Sequence, residues 1–220
     1  MTSSLLPFIE RERSRVDVAP GVVWLKGWLR LEEQRAVVDR CRELMDGPAG
    51  PYVPTVRGGG KMHVRMMCFG RHWNPRTYTY GATRADHDGQ PVPPVPGEWA
   101  ALASRAASAA GFAVVPDIAL INVYGSDGRM GLHQDKDESA ESIRAGAPVV
   151  SISLGDTARF LFGGLRRKDP VESLMLESGD VVVFGGAARL RYHGVSRIVA
   201  GTAPAGLALQ GRFNITFRQY

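Results

Sequence analysis

His133-Gln134-Asp135 places two metal-capable side chains at i and i+2, which project to the same face of an extended chain. Much later in the sequence, His193 follows the apolar run Asp180-Val-Val-Val-Phe184. Two imidazoles and one carboxylate fill one side of an octahedron and leave three positions open. That arrangement suits non-haem iron(II), which can then take a bidentate co-substrate and O₂. A structural zinc is instead closed by four ligands, commonly including cysteine, and neither Cys41 nor Cys68 lies near these histidines in the sequence. By itself His-x-Asp is also what an exposed turn pair looks like, so the later histidine is what turns the pair into a candidate metal site.

The segment Arg212-Phe-Asn-Ile-Thr-Phe-Arg218 alternates without a break, so Arg212, Asn214, Thr216 and Arg218 share one strand face and Phe213, Ile215 and Phe217 the other. On a surface strand the arginines would be solvated. Inside a small barrel they would line the cavity and need anionic partners, because unpaired buried charge is costly. A dicarboxylate chelating the metal through one end supplies them, and arginine forks bind carboxylates bidentately. Leu120, Asn122 and Tyr124 likewise share a face, opposite Ala119, Ile121 and Val123. If buried, the amide and phenol need hydrogen-bond partners, which local backbone or the same co-substrate could provide.

Between residues 57 and 84, Arg57, Lys61, His63, Arg65, Arg71, Arg76 and Arg84 are interleaved with Phe69, Trp73, Tyr78 and Tyr80. Phosphate-neutralising charge combined with stacking platforms describes a single-stranded nucleic-acid surface. The same composition also describes a minor aromatic core with a solvated basic rim. Arg166-Arg167-Lys168 and the pair Arg189 and Arg191 flank the presumed mouth, where they would either meet phosphate or simply be solvated.

The elements that must position these groups are legible in outline. Leu31 to Met45 carries apolar residues at helical spacing and is stopped by Asp46-Gly47-Pro48, and a second helix is expected over about Glu98 to Ala110. Residues 47 to 97 read as turns and short strands. From Ile118 onward short strands follow one another without intervening helices: Ile118–Tyr124, Val149–Leu154, Arg159–Phe162, Ser173–Leu176, Asp180–Phe184 and Phe213–Arg218. Gly 26 and Pro 14 in 220 residues exceed average usage, in keeping with many turns. The expectation is a mainly β (α+β) chain, an antiparallel barrel or jelly roll with extensions. A net charge of +5 is compatible with a polyanionic partner. Two cysteines outside any CxxC pattern fit a reducing, cytoplasmic setting, and the charged run from Glu10 to Arg13 leaves no room for an apolar leader. No stretch is apolar enough to span a membrane.

Taken together, Asn122-x-Tyr124, His133-Gln-Asp135-Lys-Asp137-Glu138, Gly-Asp180-Val-Val-Val-Phe-Gly-Gly, Tyr-His193-Gly and Arg212-x-Asn214-x-Thr216-x-Arg218 resemble the bacterial AlkB family of iron- and 2-oxoglutarate-dependent nucleic-acid demethylases. The resemblance is close over residues 116 to 219 and looser before that. It implies a double-stranded β-helix over residues 115–220, preceded by an N-terminal extension with helices and a nucleotide-recognition lid over residues 1–114. It implies that His133, Asp135 and His193 hold Fe(II). Asn122, Tyr124, Arg212, Asn214 and Arg218, with Thr216 between them, would hold 2-oxoglutarate. Trp73 would stack on an extruded base, Tyr78 and Tyr80 would contact the strand, Asp137 with Glu138 beside it would face the base, and Arg167 falls at a substrate position. The shorter segment from Trp73 to Tyr78 and the longer loop from Asp137 to Pro148 depart from the family pattern.

The activity implied is oxidative removal of N-methyl groups, as from 1-methyladenine and 3-methylcytosine, in single- or double-stranded DNA or in RNA. O₂ is consumed, and formaldehyde, succinate and CO₂ are released by a monomeric enzyme. Two other classes compete: an iron hydroxylase of a protein or small molecule, and a nucleic-acid-binding module without turnover.

Overall fold

The computed structural model describes residues 12–220, so the N-terminal stretch read above as lacking a leader lies outside the described residues up to residue 11. The described elements run in the order β1 (Ser14–Ala19), β2 (Val22–Lys26), α1 (Leu31–Met45), β3 (Arg65–Phe69), β4 (His72–Asn74), β5 (Thr79–Gly81), α2 (Gly97–Ala109) and β6 (Ile118–Tyr124). They continue with β7 (Met130–His133), α3 (Ala140–Ala145), β8 (Val149–Gly155), β9 (Thr157–Phe162), β10 (Glu172–Leu176), β11 (Val181–Phe184), β12 (His193–Val199) and β13 (Arg212–Arg218). A seven-stranded sheet has the order β1-β2-β11-β8-β13-β6-β3 and a four-stranded sheet the order β10-β9-β12-β7, while β4 and β5 form a separate hairpin. This antiparallel pair of sheets is a jelly roll. Three of the strands in the larger sheet, β1, β2 and β3, come from the segment read as an N-terminal extension.

Period-two alternation sorts the larger sheet into two cores. Val150, Ile152 and Leu154 of β8, Ala119 and Ile121 of β6, and Phe213, Ile215 and Phe217 of β13 all join one cluster with Val37, Val38 and Cys41 of α1 and Trp99, Ala103, Ala106 and Ala107 of α2. Each buried Phe or Ile of that set contributes about 1.5–3 kcal/mol. Both helices cover this outer face of the sheet, as the spacing of apolar residues in α1 requires. The opposite face turns toward the smaller sheet, where Val149, Val182, Phe184, Tyr124, Phe160, Phe162 and Val195 form the second cluster. The polar members of β6, β8 and β13 point into the same inter-sheet space, and a cavity of about 670 Å³ opens there.

Where the smaller sheet carries the histidines, its backbones approach closely. His193 is the Cα partner of His133 across β12 and β7, and the register shifts between His193 and Val195. Gly194 occupies that irregularity. A Cβ there would lie 2.6 Å from the Met130 carbonyl oxygen and 2.9 Å from that of Gly131, so a residue without a side chain is needed to bring the two histidines side by side.

Two features depart from the expected outline. Asp137 to Pro148 is not a plain loop: α3 forms within it, with the Ser139 hydroxyl accepting the Ser142 N–H at 3.1 Å and Gly146 ending it at φ 66°. β1 and β2 were not expected as strands, and β3 falls within the stretch expected to hold short strands without its bounds being foreseen. Nearly all of β2 and β3 is apolar, so periodicity does not separate them from loop or helix. No helix among the described residues is long and apolar enough to cross a membrane.

Candidate active site

His133 ends β7, His193 begins β12 and Asp135 lies in the loop between β7 and α3; one ligand atom from each lies within 4.8 Å of the others. The carboxylate of Asp135 is 3.7 Å from His133 Nε2 and 3.5 Å from His193 Nε2. Each ring has its Nδ1 on a backbone carbonyl, His133 on Gly131 at 2.9 Å and His193 on Arg191 at 3.1 Å. These contacts assign the proton to Nδ1 and leave the Nε2 lone pairs facing the shared space. Burial, with the nearby His193 ring, lowers the His133 pKa to about 4, so the ring is neutral near pH 7. Although burial alone would raise it, Arg218 and the two imidazoles hold the Asp135 carboxyl well below the usual range. Two imidazoles with Nε2 turned to the shared space and one ionised carboxylate form a donor set that fits iron(II).

The residues expected to hold 2-oxoglutarate line the same cavity, with one exception. Asn122, Tyr124, Asn214, Thr216 and Arg218 are at its wall. Arg218 grips Asp135 through Nη2 and Nε, donates to the Tyr80 hydroxyl at 2.6 Å and lies 3.3 Å from Glu138. Asn214 donates to the Ser151 hydroxyl at 2.8 Å and to the Ile152 carbonyl at 3.0 Å, and its own oxygen accepts the Thr216 hydroxyl. Arg212 does not reach the wall. It is 1% exposed and donates to the Ser153 hydroxyl at 2.7 Å and to the carbonyls of Asp156 and Leu176 at 3.1 and 3.3 Å. Its Nε has no hydrogen-bond partner among the described residues, and burial lowers its pKa to about 10 even though Asp180 and Asp156 nearby oppose the shift. Asn122 Oδ1 is similarly buried without a partner.

All six expected substrate residues border the cavity: Trp73, Tyr78, Tyr80, Asp137, Glu138 and Arg167. The indole N–H of Trp73 donates to Asp137 at 2.8 Å, and the Trp73 and Tyr78 ring centroids are 6.1 Å apart. Asn74 builds the turn between them, its side-chain oxygen accepting the Arg76 and Thr77 N–H groups and its carbonyl that of Tyr78. Tyr78 adopts φ 58° and stays exposed, so its ring stands at the mouth on strained backbone. Tyr80 is instead drawn inward, its hydroxyl lying between Arg218 and Glu138. Arg167 donates to the Leu132 carbonyl at 2.8 Å, one residue before His133.

Several basic and aromatic residues prove to be structural. Phe69 is fully buried, edge-on to Trp99, so it is core and not a stacking platform. Arg84 is buried within the lid, 3.2 Å from Asp88 and over the Tyr52 ring. Arg71 stays partly exposed, with its guanidinium 4.0 Å from the centre of the Tyr220 ring. Arg189 is 2% exposed and pairs with Glu138 at 2.9 Å, so it is unavailable to phosphate. For Phe69, Arg71 and Arg189 the partner is distant in sequence, whereas Arg84 pairs with Asp88 four residues on. The cavity also exposes Met62, Met66, Met130 and Ser151, which carried no signal in the sequence.

The model of the 2OG-Fe(II) oxygenase superfamily matches residues 21–218. The chain is 44% identical over 224 residues to an Arabidopsis thaliana protein named DNA N(6)-methyladenine demethylase ALKBH1C, covering 92% of this chain and 49% of that one. It is also 44% identical over 205 residues to the alpha-ketoglutarate-dependent dioxygenase AlkB of Salmonella typhimurium, covering 92% of this chain and 91% of that one. The chain thus spans about half the length of the Arabidopsis relatives it matches and nearly all of the bacterial one. The solved structure of OsALKBH1 superimposes with a TM-score of 0.88 at 41% identity, covering 94% of this chain and 100% of that one.

Proposed function

The chain belongs to the 2OG-Fe(II) oxygenase superfamily and, within it, to the AlkB family; on that footing we propose that it oxidatively demethylates N-alkylated bases in DNA. The observation that carries this reading is the joining of two half-sites in one cavity: the His133, Asp135 and His193 cluster, and a lid whose Trp73 is hydrogen-bonded to Asp137 two residues past a ligand. His133, Asp135 and His193 would hold iron, and Arg212, Arg218, Asn122, Tyr124, Asn214 and Thr216 would hold 2-oxoglutarate. Once loaded, the site would consume O₂ and decarboxylate 2-oxoglutarate to succinate and CO₂ while hydroxylating the N-methyl carbon, which then leaves as formaldehyde.

The protein's own residues select the substrate. Trp73 and Tyr78 offer faces to an extruded base, and a cationic methylated base gains cation–π attraction there. Asp137 and Glu138 add negative charge at the same point. Arg167 and the exposed Arg76 supply cations for flanking phosphates. RNA as a second substrate, a monomeric state and a cytoplasmic location are part of the same proposal. The names of the Arabidopsis relatives favour including N6-methyladenine among the candidate bases.

Mass spectrometry of oligonucleotides carrying 1-methyladenine, 3-methylcytosine or N6-methyladenine, incubated with Fe(II), 2-oxoglutarate and O₂, tests this reading. Loss of 14 mass units per methyl removed (roughly one CH₂), matched by formaldehyde and succinate, is expected for at least one base. Succinate release that no methylated oligonucleotide stimulates would move the assignment to a protein or small-molecule hydroxylase.

A further inference from the structure

The three candidate ligands come from two chain segments that the β ladder joins at one point. His193 faces His133 across β12 and β7, but the register breaks immediately afterwards, and Asp135 lies beyond the end of β7 with no strand partner. Something other than the sheet must hold its backbone. Arg189, one residue past the short 3₁₀ turn Gly186–Ala188, reaches across with Nη1 donating to the Asp135 carbonyl and Nη2 to Glu138 at 2.9 Å. In the opposite direction, Gln134 donates from Nε2 to the Leu190 carbonyl at 2.6 Å. The Arg189–Glu138 pair is almost wholly buried, so it has a fixed geometry that a solvated surface pair lacks.

We propose that Arg189 and Gln134 are positioning residues: a two-way staple that sets the distance and angle of Asp135 relative to the two histidines. The proposal rests on the metal site of the function proposed above. Neither residue is a ligand, so their removal should leave every donor in place but misaligned. Outer partners of this kind typically change metal affinity about 10- to 100-fold.

Cobalt(II) alone, titrated into the metal-free protein and followed by calorimetry and visible absorption, tests this without any turnover. Because Arg189→Met alone would strand the buried Glu138 charge, the main variant is Arg189→Met with Glu138→Gln, accompanied by Arg189→Lys and Gln134→Ala. The double variant should melt within about 4 °C of the parent when metal-free. Its cobalt affinity should fall about 10- to 100-fold with an altered absorption envelope. Arg189→Lys should recover part of that loss, and Gln134→Ala should lose several-fold. A folded double variant with parental affinity and spectrum overturns the staple. If the double variant does not fold, Gln134→Ala decides, and parental affinity there overturns it. A parent that takes up no cobalt overturns the staple and the metal site together, whereas normal uptake by parent and variants alike overturns the staple alone.

Discussion

The guanidinium of Arg218 grips both oxygens of Asp135, with Nη2 2.7 Å from Oδ1 and Nε 3.0 Å from Oδ2. Because Glu138 lies 3.3 Å from the same guanidinium, removing Asp135 does not leave Arg218 without a counter-charge. Asp135→Ala, His133→Ala and His193→Ala should therefore each fold, as judged by circular dichroism, while formaldehyde release falls to that of a metal-free sample. Full turnover by Asp135→Ala at saturating iron eliminates the triad assignment.

Arg212 tests the co-substrate site from the other end of β13. Its side-chain hydrogen bonds go to neutral oxygens while Asp156 and Asp180 act on it from nearby, and in the proposed function it would hold one carboxylate of 2-oxoglutarate. Arg212→Lys replaces a fork by a point charge and should cost roughly 1.5–3 kcal/mol of 2-oxoglutarate binding, about 10- to 150-fold in affinity. An unchanged apparent KM for 2-oxoglutarate removes Arg212 from the site.

The lid's two contributions separate with salt. Trp73→Ala should lose stacking worth about 1–3 kcal/mol per base, cutting oligonucleotide demethylation roughly 5- to 150-fold while barely changing the salt slope of binding. Arg76→Ala should instead flatten that slope by about 0.7–0.9 if Arg76 neutralises one phosphate. Binding that ignores salt, together with a Trp73→Ala variant of full activity, would remove the lid as the nucleic-acid site.

Acid should weaken the metal-free protein through His133. Its folded pKa, about 4, lies below the ordinary 6.5, so between these values the unfolded chain binds a proton that the folded chain does not. The stability His133 contributes is thus complete above about pH 6.5, declines as the pH falls, and is gone below about pH 4. Urea unfolding of metal-free protein across this range should show the decline, and His133→Asn should reduce it. An identical pH dependence in the two proteins contradicts this account.

Local periodicity made a good part of the molecule legible from sequence alone. β6 spans Ile118–Tyr124 as the alternation in that segment implies, and α1 spans Leu31–Met45 as its apolar spacing implies. In β13 the Phe and Ile residues pack under the helices, while Asn214, Thr216 and Arg218 face the cavity. The candidate metal cluster was legible for a similar reason: His133 and Asp135 are spaced by the chain itself, and His193 follows a strand that announces its own apolar run. Tertiary structure alone decided which charges are buried. Arg189, Arg84 and Arg167 are the same residue type in similarly basic surroundings, yet Glu138 takes the first into the interior, Asp88 and Tyr52 hold the second in the lid, and the third stays at the mouth. Likewise Phe69 and Trp73 are neighbouring aromatics in sequence, one sealed against Trp99 and the other at the cavity wall beside Asp137. A residue's period is a property of its own strand or helix, whereas its partner is supplied by whichever distant segment the fold brings against it.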